Sequence, residues 1–302
     1  VDRQGRTGGV RAIDTSFLRT FVTVVDRGSM AAAARVLNIS ASAVAQQLHA
    51  LEREMGTPLL LRVGRTMRMT EQGARILAPA RKLLRDATDL RGIAQDGEVT
   101  GELWLGACTT PLTGLLPDIL AAVSKTFPQV NIHIQSGNSA QLFVDVEAGK
   151  LDAALVLEAP YPLPKTCDWL LLREEPLIVL APRALADRDP LELLREEPLI
   201  RYDRNQWGGR SADMYLTERG IVPHERFELN ALNAIAMMVD RGLGVSLVPD
   251  WAPPWPEGID IVRLQLPEPK VGRRIGIVWS RSSVRMRLVT VLLEESARLS
   301  RS

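Results

Sequence analysis

The chain has 302 residues, 46% hydrophobic and 24% charged, with a net charge of +1. These proportions belong to a soluble globular protein with room for a small domain and a larger one, and they exclude a disordered chain. No apolar run approaches a membrane span, and the two isolated thiols, Cys108 and Cys167, suit a reducing cytoplasm better than a disulfide scaffold.

Charge is unevenly spread. Residues 1–96 hold 15 basic and 9 acidic side chains, whereas the remainder holds 22 basic and 27 acidic ones. A basic head on an acidic body suits a protein that holds DNA with one end. Residues 1–13 are polar, contain Arg and Gly and lack a signal-peptide core; they read as a flexible extension, or alternatively as a basic arm.

Phe17, Phe21, Val24 and Val25 recur with a period near 3.6 and predict a first helix. Gly28 stops it and Ser29 caps a second helix, Met30 to Leu37. After the turn at Asn38 and Ile39, Ser40 caps a third helix that reaches Glu54 or Met55 and closes at Gly56. Val44, Leu48, Leu51 and Met55 give this third helix a packing stripe. Ser42, Gln46, His49 and Arg53 occupy another side, flanked by Ala41 and Ala45. A solvated face is one reading; the other is a helix that enters the major groove, with the Gln46 amide placed to pair with adenine. Residues 59–70 then read as a hairpin with Gly64 in its turn and Arg62, Arg65 and Arg68 available for phosphates or a minor groove. The order predicts a winged helix-turn-helix.

Gly28-Ser29-Met30 with its alanine-rich helix, Leu37-Asn38-Ile39-Ser40, Ala43-Val44 to Gln47-Leu48, Leu51-Glu52, Leu60-Leu61-Arg62 and Thr70-Glu71-Gln72-Gly73 together resemble the LysR-type transcriptional regulators. Many members carry Gln-Pro after the capping serine, then Ser or Thr, and Arg further along. Here Ala41, Ser42, Ala45 and Gln46 stand on the reading face, so the docking mode transfers better than any base sequence.

Residues 71–95 predict one long helix capped by Thr70 and bent at Pro79. Ile76, Ala80, Leu83, Ala87, Leu90 and Ala94 alternate steps of four and three, which is a heptad seam for pairing; packing on the chain's own body is the alternative. The resemblance favours pairing, because family members dimerise through this helix and commonly form tetramers.

Beyond a polar hinge at 97–101, strands alternate with helices: a strand at 103–107, a helix at 112–127, a strand at 130–135, a helix at 140–149 and a strand at 153–157. A second set begins with a strand at 177–181, and 274–279 with a final helix at about 283–297 returns to the first half. Leu115-Leu116-Pro117, Phe127-Pro128-Gln129-Val130, Gly149-Lys150-Leu151-Asp152 and Gly242-Leu243-Gly244-Val245 with Pro249 resemble the family's effector domain, which has the type 2 periplasmic-binding-protein fold. The expected fold is α/β overall. It comprises a winged helix-turn-helix (14–70), a linker and dimerisation helix (71–96) and a two-lobed effector domain (97–302). Lobe I spans about 101–161 and 271–302 and lobe II about 165–266, with crossings near 161–164 and 266–271.

Ligands of open α/β sheets lie at strand ends near helix N-termini. Cys108, Thr109 and Thr110 follow one strand, and Ser136, Gly137, Asn138 and Ser139 follow another. Each segment reads as a helix cap or, with the other, as a cradle for a small carboxylate effector. Tyr202 ends a strand, Trp207 stands in a Gly-rich loop as an aromatic wall, and Asn230 is a cap or a ligand donor. Arg201 points away from Tyr202 by strand alternation. His49, His133 and His224 lack metal-site spacing, and no dinucleotide, Walker or nucleophile-elbow motif appears, so neither a cofactor nor catalysis is expected. The leading reading is an effector-responsive DNA-binding regulator, a homodimer or homotetramer that meets RNA polymerase. The alternatives are a small-molecule binding protein and an α/β hydrolase or transferase.

Overall fold

The structure, a computed structural model, describes residues 13–64, 66–93, 99–268 and 271–300, with the backbone alone at 88–93. Contacts divide the chain into two units, residues 1–96 and 97–302.

The first unit begins with α1 (Thr15–Arg27), capped by the Asp14 carboxylate and ended by Gly28 at φ 70°. Ser29 Oγ accepts from Ala32 N and starts α2 (Met30–Leu37), and Ser40 Oγ accepts from Ala43 N and starts α3 (Ala41–Met55). Asn38 makes the turn between them in the left-handed region, which a short amide side chain tolerates. The wing is an antiparallel pair, β1 (Leu60–Val63) and β2 (Thr66–Met69), in register from Leu60↔Met69 to Val63↔Thr66. Glu52 on α3 accepts from the amides of Leu59 and Leu60, at 2.8 and 3.2 Å, which fixes the wing to the third helix. Thr70 Oγ1 accepts from Gly73 N and donates to Pro58 O, and so caps α4 (Glu71–Ile93).

The first half of α4 belongs to the core of this unit. Ala80 is buried, and Ile76, Leu77 and Leu84 pack on the cluster built from Leu18, Phe21, Val24, Val44, Leu48 and Leu51. Ile76 and Ala80, two residues of the expected seam, thus pack on the chain's own helices, the alternative the sequence left open. The inward stripe runs through residues 76, 77, 80 and 84, so Leu83 is turned off it and is 44% exposed. Ala87 is half-buried, the Leu90 side chain is not described, and Ala94 lies outside the described residues.

The second unit opens with parallel β3 (Gly101–Ala107), α5 (Thr109–Gly114), α6 (Leu116–Thr126), β4 (Val130–Ser136), α7 (Ser139–Glu147) and β5 (Ala153–Leu157). The single helix expected over 112–127 is two, broken at Leu115 ahead of Pro117. Next come β6 (Cys167–Pro182), α8 (Pro190–Glu196), β7 (Pro198–Tyr202), α9 (Trp207–Glu218), β8 (His224–Leu229), α10 (Leu232–Asp240) and β9 (Ser246–Pro249). The chain returns through β10 (Ile261–Gln265), β11 (Gly272–Ser280) and α11 (Met286–Leu299). The sheet order is β10-β6-β11-β5-β3-β4, with β9 also on β6. β7 and β8 form a parallel pair, joined to the rest by a bridge between Leu199 and Val245.

β6 is longer than the strand expected at 177–181, and it moves one crossing. From Cys167 to Pro176 it pairs with β11, and from Leu177 it pairs with β9 and β10. The first crossing between lobes is therefore inside β6, near residue 176, and not at 161–164. Arg173, Glu174 and Glu175 give this stretch the look of a loop, yet Glu175 is buried opposite Arg273 on β11. In lobe I, Leu103, Leu105 and Ala107 of β3 pack with α6 and α11, while Leu142, Phe143 and Val146 of α7 cover the other face. Lobe II has its own pair of cores, one around Leu193, Leu199, Tyr215 and Leu216 and one around Ile200, Tyr202, Ile235 and Trp251.

Candidate functional site

On the first unit, α3 turns Ala41, Ser42, Gln46, His49 and Arg53 outward, with Ala45 half-buried beside them. The neighbouring Gln47 faces inward and bonds Thr20, which leaves Gln46 as the glutamine offered to a partner. His49 Nδ1 sits 3.5 Å from Glu52, whose other carboxylate oxygen is committed to the wing amides. Ser29 and Ser40 are occupied as caps, and Ser40 also bonds Ser42 at 2.9 Å. The register of the wing sets Arg68 opposite Leu61 and Arg62 opposite Met67, so the two arginines leave opposite faces of the hairpin. Arg62 Nε donates to Gly64 O at 3.2 Å, and Arg65 lies outside the described residues.

On the second unit, a cavity of about 650 Å³ lies where α5, α7, α9 and α10 begin. It gathers Cys108, Thr109 and Thr110 from the first segment expected to line it and Ser136, Gly137, Asn138 and Ser139 from the second. Tyr202, Trp207 and Asn230 line it from lobe II. Several of these residues also do structural work. Asn138 accepts from Gln141 N at 2.8 Å, and Ser139 Oγ accepts from Leu157 N at 3.1 Å. Trp207 is the first residue of α9 and not part of a loop; its ring meets Tyr161 and Phe143 edge-on at 5.8 and 6.2 Å, an aromatic bridge from lobe II to lobe I. Asn230 precedes Ala231, the cap of α10, and its amide caps nothing. Burial pushes the Cys108 thiol up, outweighing the pull of the nearby Arg273 cation in the other direction.

Arg273, which is not among the residues expected there, also lines the cavity. Its guanidinium is buried, with Nε 2.7 Å from Glu175 Oε2, Nη2 2.8 Å from Thr110 Oγ1 and Nη1 3.3 Å from Tyr202 Oη. Glu175 in turn accepts from Ala252 N at 3.0 Å. The available signal was alternation: in β11 the odd-numbered Arg273 and Ile275 point inward, while Arg274 points out to Glu158. Arg201 takes no part, since Asp213 and Glu225 hold it at 2.7 and 2.6 Å. Among the described residues there is no cluster of His, Cys, Asp and Glu fit for a metal ion and no helix long and apolar enough to cross a membrane.

The LysR substrate binding domain family matches residues 96–300, and the bacterial regulatory helix-turn-helix proteins of the lysR family match residues 16–74. The chain belongs to the LysR family, which is one of transcriptional regulators and not of enzymes. The HTH-type transcriptional regulator PecT of Dickeya dadantii (strain 3937) is 33% identical over 166 residues, which are 55% of this chain and 51% of PecT. The chain spans about half the length of the curated relatives it matches. A full-length OxyR variant from Pseudomonas aeruginosa shares the fold with a TM-score of 0.68 and 25% identity, over 95% of both chains. Full-length CbnR, solved with its target DNA, gives a TM-score of 0.65 at 24% identity, over 95% of this chain and 99% of CbnR.

Proposed function

We propose that the chain is a sequence-specific DNA-binding transcriptional regulator whose cavity binds a small, carboxylate-bearing effector. The observation that carries the DNA reading is the outward row Ser42, Gln46, His49 and Arg53 on α3, held rigidly beside a basic wing by Glu52. Such a helix places base-reading groups in the major groove while the wing arginines meet phosphates. CbnR supports this reading as a fold that is known to grip its target DNA. The modest excess of basic residues in the head calls for more than one head per site, so the working unit is a homodimer or homotetramer. Leu83 and Ala87 supply the part of α4 left for pairing.

The effector reading rests on four helices that start at one cavity. α5, α9 and α10 begin without a side-chain cap, so their first amides are available to an anion. An effector changes the regulator only by binding one lobe arrangement better than another; that difference respaces the heads and alters access for RNA polymerase. Selection of duplexes from a random library by the full chain tests the DNA reading and is expected to return one motif repeated with two-fold symmetry. Recovery of unenriched sequence would reject it.

A further inference from the structure

We propose that His49 is a proton-controlled base reader. Its neutral ring offers the major groove an acceptor and selects cytosine at one position; its protonated ring offers a donor and selects guanine. The proposal rests on the DNA reading above and gives one residue of that row its chemistry.

Neutral imidazole has one N–H and one bare nitrogen, and the partner of one nitrogen decides what the other presents. In His49 that partner is Glu52, whose Oε2 lies 3.5 Å from Nδ1. A carboxylate only accepts, so it draws the proton of the neutral ring to Nδ1 and leaves Nε2 bare. Glu52 is itself fixed. Its Oε1 accepts from the amides of Leu59 and Leu60 at 2.8 and 3.2 Å, and its side chain is 19% exposed against 75% for His49. The wing backbone holds the carboxylate, the carboxylate holds the ring, and Nε2 is the atom left for a partner. Protonation occurs at Nε2 and turns the acceptor into a donor without moving the ring.

His49 stands inside the outward row, three residues after Gln46 and four before Arg53, so it shares their face of α3. The open groove beside it is bounded by Phe17 of α1 and by the turn at 56–58, which bring no charge. Among the described residues that line this groove, the other charged ones are Glu52 and Arg53, one of each sign. In the major groove guanine presents only acceptors, O6 and N7, and cytosine only a donor, its N4 amino group. A bare Nε2 therefore matches cytosine and meets guanine lone pair to lone pair, and a protonated Nε2 does the reverse. Gln46 and Arg53 have no such choice, because an amide carries donor and acceptor together and a guanidinium only donates. Histidine is the side chain that changes charge near neutrality, which makes the selected base a function of pH.

Selection of duplexes from a random library by the full chain, at about pH 5.5 and at about pH 8, brackets histidine's ordinary range and tests this. The motif should differ at one position, guanine at the lower pH and cytosine at the higher, each favoured about tenfold over the other, the scale of one base contact. His49→Gln keeps His133 and His224 and should return one motif at both. Glu52→Gln keeps a carbonyl oxygen for the wing amides and turns an amino group toward Nδ1, which moves the neutral ring's proton to Nε2. That variant should select guanine at about pH 8 as well. Thermal unfolding checks that each variant is folded, and the wild type and His49→Gln decide alone if Glu52→Gln is not. A shift that persists in His49→Gln would overturn the proposal, as would cytosine retained by folded Glu52→Gln. Tighter binding of all duplexes alike at the lower pH means a phosphate contact and overturns it too. An identical wild-type motif at both pH values overturns it and leaves the DNA reading standing, whereas an unenriched library removes both.

Discussion

At the scale of residues, a few side chains carry contrasting duties that can be tested one at a time. Gln46 faces outward while Gln47 is held by Thr20, so Gln46→Ala should change base preference by about 1–3 kcal/mol at one position of the selected motif. The same motif at the same affinity would exclude it from base readout. Arg68 leaves the wing on the face opposite to Arg62. If it meets phosphate, Arg68→Ala should weaken binding to all duplexes alike and reduce the salt slope by about 1. Glu175 has a different duty: among the described residues it is the acid on the Arg273 guanidinium, and it also lies 3.5 Å from Arg173 Nε. Glu175→Gln leaves that cation buried and unpaired, and a loss of about 3–5 kcal/mol in urea unfolding of the chain is expected. A loss below about 1 kcal/mol would mean that water or a rearranged neighbour reaches Arg273.

At the scale of elements, the junction between wing and linker helix depends on one glycine. A Cβ on Gly73 would stand 2.1 Å from the carbonyl oxygen of Leu59, a backbone atom that the Thr70 amide already uses. Gly73→Ala should therefore destabilise the head by about 1–3 kcal/mol, measured by thermal unfolding, even though alanine is the better helix former. The helices of the head were readable from the sequence because each carries its own punctuation: Ser29, Ser40 and Thr70 as caps, Gly28 and Gly56 as stops. The ten residues expected at the cavity were also readable, since strand ends and helix starts mark where a cleft must open. What failed was whatever depends on partners distant in sequence. The first half of β6 looks charged because Glu175 finds Arg273 98 residues away. Arg273 itself reads as one more basic residue at a strand start. On α4, two apolar stripes overlap, and only the packing of α1 against Ile76 and Ala80 decides which of them is inward.

At the scale of the whole molecule, self-association should rest on what α4 leaves exposed after serving its own core. Leu83→Asp is expected to shift sedimentation of the full chain toward the monomer while leaving the melting of the head unchanged, because Leu83 lies off the inward stripe. An unchanged oligomer would move the pairing surface elsewhere. In the effector part, the passage from lobe to lobe has a mechanical meaning. β6 runs through it unbroken, Leu177 N donates to Val271 O at 2.7 Å, and Asp250 N donates to Pro176 O at 2.8 Å. Two flexible tethers would let the lobes swing apart like a shell. A ladder of paired strands resists bending across its hydrogen bonds and yields more readily to torsion. The lobes are thus coupled as the ends of a stiff torsion spring, and a ligand should turn them by a small angle without opening them. The amides of Arg173, Glu174, Glu175 and Leu177 should accordingly exchange with solvent as slowly as the core of either lobe.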